Sequence, residues 1–139
     1  MTESNQTLPV VAFLCVHNAG RSQMALGWFR ALAQGAATAF SGGSAPAQEI
    51  NPVAVEAMAE VGIEIGAERP KSWTESGLAR ADVVVTMGCG DACPYIPGQR
   101  YEDWELDDPA GLGIDEVRAI RDSIGDRVRV LLAGLGIAS

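Results

Sequence analysis

The hydrophobic residues of the chain fall first into short continuous runs. Residues 10–14 and 82–87 are apolar and rich in β-branched side chains, a composition typical of strands that are buried on both faces of a sheet. Residues 38–41 predict a further short strand, which a turn at Gly42 and Gly43 follows. The pattern therefore locates three strands.

Between these runs the apolar residues recur at helical spacing. Met24, Trp28 and Leu32 lie four residues apart and predict a helix that ends near Gly35. Residues 51–62 begin with an asparagine–proline pair, which is a typical helix start, and end at a glycine. The residues predicted to form the buried side of this second helix are Val53, Ala57, Met58 and Val61.

The rest of the chain predicts a short helix at residues 74–81 and a long amphipathic helix at the C-terminus. Gly125 is a weak point inside the long helix. Its apolar residues are Val117, Ile120, Ile124, Val128, Leu131, Leu132 and Leu135. Because strands alternate with helices, we expect one α/β domain over residues 1–139, with a parallel sheet covered on both faces and a flexible tail at residues 1–8.

Composition limits the classes of partner. The chain has 139 residues, with 18 acidic and 10 basic side chains and a net charge of −8, so we expect neither nucleic acid nor an anionic membrane as a partner. Eleven of the acids follow residue 80, and the cluster at residues 102–108 predicts a solvated loop. No apolar run approaches the roughly 18 residues that span a bilayer. Three cysteines and a polar N-terminus without a signal peptide predict a cytoplasmic protein.

The loop after the first strand carries the strongest chemical signal. Cys15 ends the strand, and Arg21 begins a helix after five intervening residues. A loop that leads into a helix N-terminus can direct several backbone N–H groups at one point, where the helix dipole adds positive charge. Arg21 presents a fork of donors that matches two oxygens of a tetrahedral anion. The predicted oxyanion loop consists of Val16, His17, Asn18, Ala19, Gly20 and Arg21.

Cys15 is the predicted nucleophile of this loop. The positive surroundings favour thiolate over thiol, and Ser22 is placed to donate a hydroxyl hydrogen bond to the sulfur. Most lone cysteines are small apolar residues in a core, but an arginine at this spacing favours a catalytic thiol. The backbone of such a loop points inward, which disfavours a direct catalytic role for His17. Asn18 tolerates left-handed backbone angles and can brace a tight loop.

At these residues the chain resembles the arsenate reductases built on the low-molecular-weight tyrosine phosphatase fold. The resemblance covers nearly the whole chain and is carried by residues 15–25, 41–43, 51–52, 82–86 and 107–111. It implies a three-layer fold with a four-stranded parallel sheet. It also implies that Asp108 is the general acid that protonates the departing oxygen. Asp107 is the alternative, but Pro109 restricts the residue before it and so favours Asp108; a purely turn-capping role for Asp108 stays open.

Cys89 and Cys93 separate the two activities of this fold. A phosphatase needs only the first cysteine, whereas reduction of arsenate takes two electrons and a second thiol to complete a disulfide. Four-residue spacing on a helical turn puts two Cα atoms about 6 Å apart, which a disulfide accepts. The resemblance implies that Cys89 attacks the Cys15 sulfur, that Cys93 then attacks Cys89, and that thioredoxin reduces the resulting disulfide.

The chain departs from the family pattern at two points. Only three residues separate Cys89 from Cys93, whereas six are usual in the thioredoxin-coupled members. Leu26 stands where some members carry a glutamate that helps to bind potassium, so we predict no metal site and no bound cofactor. A zinc site would require Cys15 and His17 to leave the oxyanion loop. The mycothiol-coupled branch usually lacks the second and third cysteines and fits less well.

Two other functions remain open alongside arsenate reduction. One is a phosphatase acting on phosphotyrosine or another small phosphoester, with an aromatic entrance formed by Trp73, Tyr95, Tyr101 and Trp104. The other is an oxyanion sensor without turnover, which an acid catalyst beside the loop would contradict. We expect a monomer whose partners are arsenate and thioredoxin.

Overall fold

A four-stranded parallel sheet lies at the centre of residues 8–88 and 99–137, which the computed structural model describes. The elements in chain order are β1 (Val10–Cys15), α1 (Arg21–Ala33), β2 (Thr38–Gly43), α2 (Pro52–Glu60), α3 (Glu75–Ala79), β3 (Val83–Thr86), β4 (Arg100–Asp103) and α4 (Ile114–Gly134). The strand order is β2-β1-β3-β4, and all three pairings are parallel. The predicted sheet is confirmed.

Helices cover both faces of this sheet, as predicted. Side chains alternate along β1, so that Phe13 and Cys15 face one side and Ala12 and Leu14 face the other. Helices α1, α2 and α4 pack on the first side, where α4 contacts both of the others. Helix α3 covers the second side through Leu78. The three layers leave β2 and β4 as the edge strands.

The edge strand β4 is the element that the sequence pattern did not locate. The acidic run was expected to be a loop, but Glu102 and Asp103 lie in β4, which pairs with β3. One side of an edge strand faces solvent, so no apolar run marks it. Its carboxylates accept hydrogen bonds locally: Thr86 Oγ1 donates to Asp103 at 2.7 Å, and Trp104 Nε1 donates to Glu102 at 3.1 Å. The loop prediction was wrong for these two residues.

Helix α2 begins as the sequence predicts. The Asn51 side chain accepts a hydrogen bond from the Val53 N–H at 2.9 Å, and Pro52 occupies the first helical position. The helix ends at Glu60, before Gly62, so Val61 is 38 % exposed and does not belong to the buried side. The side chains of α2 that are buried are those of Ala54, Ala57 and Met58.

Helix α4 is the long amphipathic helix of the prediction. It continues without a break through Gly125, where a Cβ atom would lie only 2.8 Å from Trp28 Cε2 of α1. Trp28 Nε1 also donates to the Arg121 carbonyl at 3.1 Å. Glycine costs a helix roughly 1 kcal/mol relative to alanine, and here it permits the close approach of α1 and α4. Among the described residues no helix is both long and apolar enough to cross a membrane.

Glu60 joins the end of α2 to α4. Its carboxylate oxygens accept from Arg118 Nη2 at 2.6 Å and from Arg121 Nη1 at 2.8 Å. The hydrogen bonds from Arg118, followed by those from Arg121, lower the pKa of Glu60 from 4.5 to about 2. A carboxyl whose pKa is lower in the folded chain adds stability above the unfolded pKa. That contribution is lost as the pH falls from about 4.5 towards 2.

We therefore expect Glu60→Gln to lower the thermal unfolding midpoint at pH 7, by an amount that shrinks as the pH falls below 4.5. Circular dichroism melts of wild type and variant at several pH values from 7 to 2.5 measure this difference. Glu56→Gln, an exposed position one turn earlier in α2, is the matched control and should show little change at any pH. A Glu60→Gln difference that stays constant over the whole range would contradict the expectation.

Candidate active site

The predicted nucleophile lies at the carboxyl end of a central strand. Cys15 is the last residue of β1 and is 2 % exposed, and the loop after it leads directly into α1. In open parallel sheets, ligand sites lie beyond the carboxyl ends of the strands. The site is therefore built on β1 and α1, both of which the sequence predicted.

The carbonyl groups of the loop between β1 and α1 accept hydrogen bonds from residues outside the loop. The carbonyls of Cys15, Val16, His17 and Ala19 accept from the N–H groups of Ser44, Ala45, Ala47 and Asn51, at 2.8 to 3.2 Å. Two further carbonyls, of Asn18 and Gly20, accept from Gln23 Nε2 and the Met24 N–H. Since each peptide bond is trans, the next N–H points the opposite way. The amides of residues 16–21 thus face the inner side of the loop, as an oxyanion site requires.

Asn18 fixes the shape of this loop. Its backbone is left-handed, with φ of 52°, and its N–H donates to Cys15 Sγ at 3.3 Å. Its side-chain amide donates to Ser22 Oγ at 2.7 Å, and its side-chain oxygen accepts from the Lys71 N–H at 2.9 Å. The predicted bracing function of Asn18 is thus visible as contacts on both sides of the loop.

Ser22 contacts the sulfur as the sequence predicted. Ser22 Oγ lies 2.9 Å from Cys15 Sγ in a fully buried setting. Because Ser22 Oγ already accepts from Asn18, its own hydrogen is free to point at the sulfur. Two donors, the Asn18 N–H and the Ser22 hydroxyl, therefore converge on the sulfur of Cys15.

Gln23 also supports the loop, although the sequence did not mark it as a site residue. Its amide nitrogen lies 3.1 Å from both the carbonyl and the side-chain oxygen of Asn18 and 3.3 Å from the Arg69 carbonyl. The residue is fully buried, and its own side-chain oxygen has no partner among the described residues. Its position after Ser22, at the buried start of α1, was the only available signal.

Arg21 and Asp108 meet at the mouth of the loop. Arg21 Nη2 lies 3.6 Å from Asp108 Oδ2, and Nη1 donates to the Leu106 carbonyl at 3.4 Å. The side chain of Arg21 is 7 % exposed, whereas that of Asp108 is 46 % exposed. Asp108 lines the cavity above Cys15; Asp107 lines only a neighbouring groove, with Glu105 and Glu116. Of the two candidate acids, Asp108 is the one that the fold brings to Cys15.

Gly88, just after β3, lies against Arg21. Its φ is +86°, and a Cβ atom on it would be 2.4 Å from Arg21 Nη1. In the structure, the absence of a side chain at Gly88 makes room for the guanidinium group.

The cavity over Cys15 is small. Its volume is about 280 Å³, and no aromatic residue lies among the described residues that line it. Trp104 instead packs on Phe13 in the core with ring centroids 5.9 Å apart, and Trp73 and Tyr101 pack against the opposite side of the sheet. An aromatic entrance from these three residues is therefore absent. The cavity is lined by Cys15, His17, Ala19, Gly20, Arg21, Ala47, Asn51, Asp108, Pro109 and Ala110.

Sequence comparison agrees with this geometry. Residues 10–138 match the family described as low molecular weight phosphotyrosine protein phosphatase. The chain belongs to this phosphatase family. Among its curated relatives, an arsenate reductase of Staphylococcus saprophyticus is 38 % identical over 86 % of this chain and 92 % of its own length. An arsenate reductase of Bacillus subtilis is 39 % identical over the same shares of the two chains.

Solved structures of the same fold include both kinds of enzyme. A thioredoxin-dependent arsenate reductase of Corynebacterium glutamicum superposes with a TM-score of 0.84 at 40 % identity, over 95 % of this chain. This chain spans 64 % of the length of that one. A low molecular weight protein tyrosine phosphatase from T. tengcongensis has a TM-score of 0.81 at 24 % identity, which shows the shared fold alone.

Two predicted site residues of this phosphatase-family chain, Cys89 and Cys93, lie outside the described residues, as does Tyr95. His17 is exposed at the rim of the cavity, and its carbonyl accepts from the Ala47 N–H. Within residues 8–88 and 99–137 no group of three or more His, Cys, Asp or Glu side chains could hold a metal ion.

Proposed function

We propose that the protein reduces arsenate to arsenite, with Cys15 as the nucleophile and thioredoxin as the electron donor. The observation that carries the proposal is a buried thiol at the base of a small oxyanion loop, with no aromatic side chain among the described residues of its cavity. The loop amides and the Arg21 guanidinium supply donors that match the oxygens of a small tetrahedral anion. Relatives named arsenate reductase, at 38 to 39 % identity over most of both chains, support the same substrate.

The first step joins arsenic to sulfur. The inward amides of residues 16–21 and the Arg21 guanidinium hold the arsenate oxygens, which places arsenic over the Cys15 sulfur. The thiolate attacks arsenic, an As–O bond breaks, and Asp108 gives its proton to the departing oxygen, which leaves as water. The position of Asp108 at the cavity over Cys15 supports this assignment of the acid.

The second step is the reduction itself. The Cys89 thiolate attacks the Cys15 sulfur, the S–As bond breaks, and its electron pair stays on arsenic, which leaves as arsenite. The Cys93 thiolate then attacks Cys89, so that Cys15 is freed and a Cys89–Cys93 disulfide remains. The two thiols of thioredoxin reduce this disulfide and become oxidised in turn. A low-molecular-weight thiol such as mycothiol is the alternative donor.

A phosphotyrosine phosphatase is the second candidate, because the family carries that description. In that reaction Cys15, Arg21 and Asp108 would keep the same functions, and Cys89 and Cys93 would have none. The two candidates therefore differ in their dependence on the downstream cysteines.

One assay separates these functions. NADPH oxidation with thioredoxin, thioredoxin reductase and arsenate is measured beside hydrolysis of p-nitrophenyl phosphate. We expect arsenate-dependent oxidation, and we expect Cys89→Ala to abolish it. Cys93→Ser should form one arsenite per enzyme and then stop. Arsenate-dependent turnover that survives in Cys89→Ala would exclude the relay, and full turnover in Cys93→Ser would show that another thiol recycles the enzyme.

A further inference from the structure

Asn51 makes three hydrogen bonds, and its function as the N-cap of α2 accounts for only one of them. Its backbone N–H donates to the Ala19 carbonyl of the oxyanion loop at 2.9 Å. Its side-chain oxygen caps α2 by accepting from the Val53 N–H. Its side-chain nitrogen donates to the Pro109 carbonyl at 3.4 Å. Capping uses only the oxygen, so the nitrogen is available for a separate purpose.

The segment that Asn51 reaches is the one that carries Asp108. Pro109 is buried, and its ring lies on Gly20, where a Cβ atom would approach Pro109 Cγ to 2.5 Å. Asp108 closes a turn by accepting from the Ala110 N–H at 3.0 Å, and the Leu112 N–H donates to the Pro109 carbonyl at 3.1 Å. This turn is joined to the oxyanion loop by packing on Gly20 and by the Asn51 side chain.

We propose that Asn51 is a positioning residue for the general acid: its side-chain amide ties the Asp108–Pro109 backbone to the oxyanion loop. The proposal rests on the proposed arsenate chemistry, in which Asp108 acts as the acid. Asp108 is 46 % exposed, and its hydrogen bond from the Ala110 N–H lies within its own turn. Its carboxylate is 3.6 Å from Arg21 Nη2, so its own contacts hold it only loosely against the oxyanion loop. Because Asn51 also holds Ala19, one residue sets the distance between the anion site and the proton donor.

Capping and positioning can be separated by substitution. Serine caps a helix as well as asparagine does, but its short side chain cannot also reach Pro109. Asn51→Ser therefore keeps the cap and removes the tie, whereas Asn51→Ala removes both. Each variant keeps the backbone N–H on Ala19. The serine and alanine side chains differ by one oxygen atom, so Asn51→Ala is a matched control for Asn51→Ser.

The test measures single-turnover arsenite formation at increasing arsenate concentration, which avoids the recycling steps. We expect Asn51→Ser to lower the saturating rate constant by about tenfold, with the half-saturating arsenate concentration unchanged within about twofold. Its unfolding midpoint should match wild type, while Asn51→Ala should lose roughly 3 to 5 °C as well. In an Asp108→Asn background, which itself should cost at least about 100-fold, Asn51→Ser should add less than about twofold.

Three kinetic results would overturn the proposal: an unchanged rate in Asn51→Ser, an equal loss in the Asp108→Asn background, or a change in half-saturation alone. A second readout does not depend on activity. Amide hydrogen exchange at Ala110 and Leu112 should quicken in Asn51→Ser, while exchange at Val53 stays as in wild type. If the wild type does not reduce arsenate, the proposed function fails, and unchanged exchange at Ala110 and Leu112 would separately refute the tie.

Discussion

A Cys15→Ser variant is expected to lose arsenate reduction by at least about 10⁴-fold while it keeps its fold and its affinity for phosphate. A serine hydroxyl is a far weaker nucleophile than a thiolate and cannot form the disulfide that reduction requires. Its oxygen can still accept from the Asn18 N–H and the Ser22 hydroxyl, which now contact the sulfur. The loop shape should survive, because its carbonyls are tied to residues 44–51 and to α1.

Single-turnover arsenite formation and phosphate titration by calorimetry measure these two properties. Cys89→Ser is the matched control: it exchanges the same atoms at the second thiol, and it should also form no arsenite while leaving Cys15 able to react with iodoacetamide. Arsenite formation by Cys15→Ser at more than about one-hundredth of the wild-type rate would show that another group attacks arsenic.

Gly88→Ala should weaken phosphate binding at least about tenfold and lower kcat/KM for arsenate by about 100-fold, although Gly88 itself contributes no catalytic group. The new methyl group would lie 2.4 Å from Arg21 Nη1, so the guanidinium must move away from its contacts with Leu106 and Asp108. Displacing this donor removes charge-matched hydrogen bonds from the anion.

Backbone strain is the competing explanation, and Gly62→Ala controls for it. Gly62 has a φ of +81°, close to the +86° of Gly88, but a Cβ atom there meets nothing within 4 Å. Both variants should lose roughly 1 to 2 kcal/mol of stability from the left-handed conformation. Only Gly88→Ala should lose phosphate affinity, measured by calorimetry so that the downstream cysteines do not enter. Equal affinities in the two variants would contradict the steric account.

The sequence predicted the elements whose structure depends on residues that are close together in the chain. Strands β1 and β3 are apolar runs, and α1 and α4 have a helical period, because burial selects the same residue types along one element. The cap at Asn51 needs only residues 51–53. The sequence pattern did not locate β4 because an edge strand can be polar. The order of residues within β4 does not show that this strand pairs with β3.

The candidate site divides in the same way. Cys15, Arg21 and Ser22 lie within eight residues on a strand, a loop and a helix start, so their meeting follows from local geometry and could be inferred from the sequence. The net charge of −8 gave no such indication, because the predicted attraction for an anion is local and comes from Arg21 and the loop amides.

The resemblance implied that Asp108 joins this site, and the tertiary structure decided which contacts the distant groups make there. The sheet order sets the ends of β1, β3 and β4 side by side, which brings Gly88 and Asp108 to Arg21 and leaves Asp107 facing another groove. In the sequence, Gln23 and Asn51 are residues near the starts of helices. The fold shows which distant groups their side-chain amides contact. The sequence by itself determined the reactive loop, since its chemistry is local; the tertiary structure decided its partners, because contacts between distant residues depend on how the elements pack.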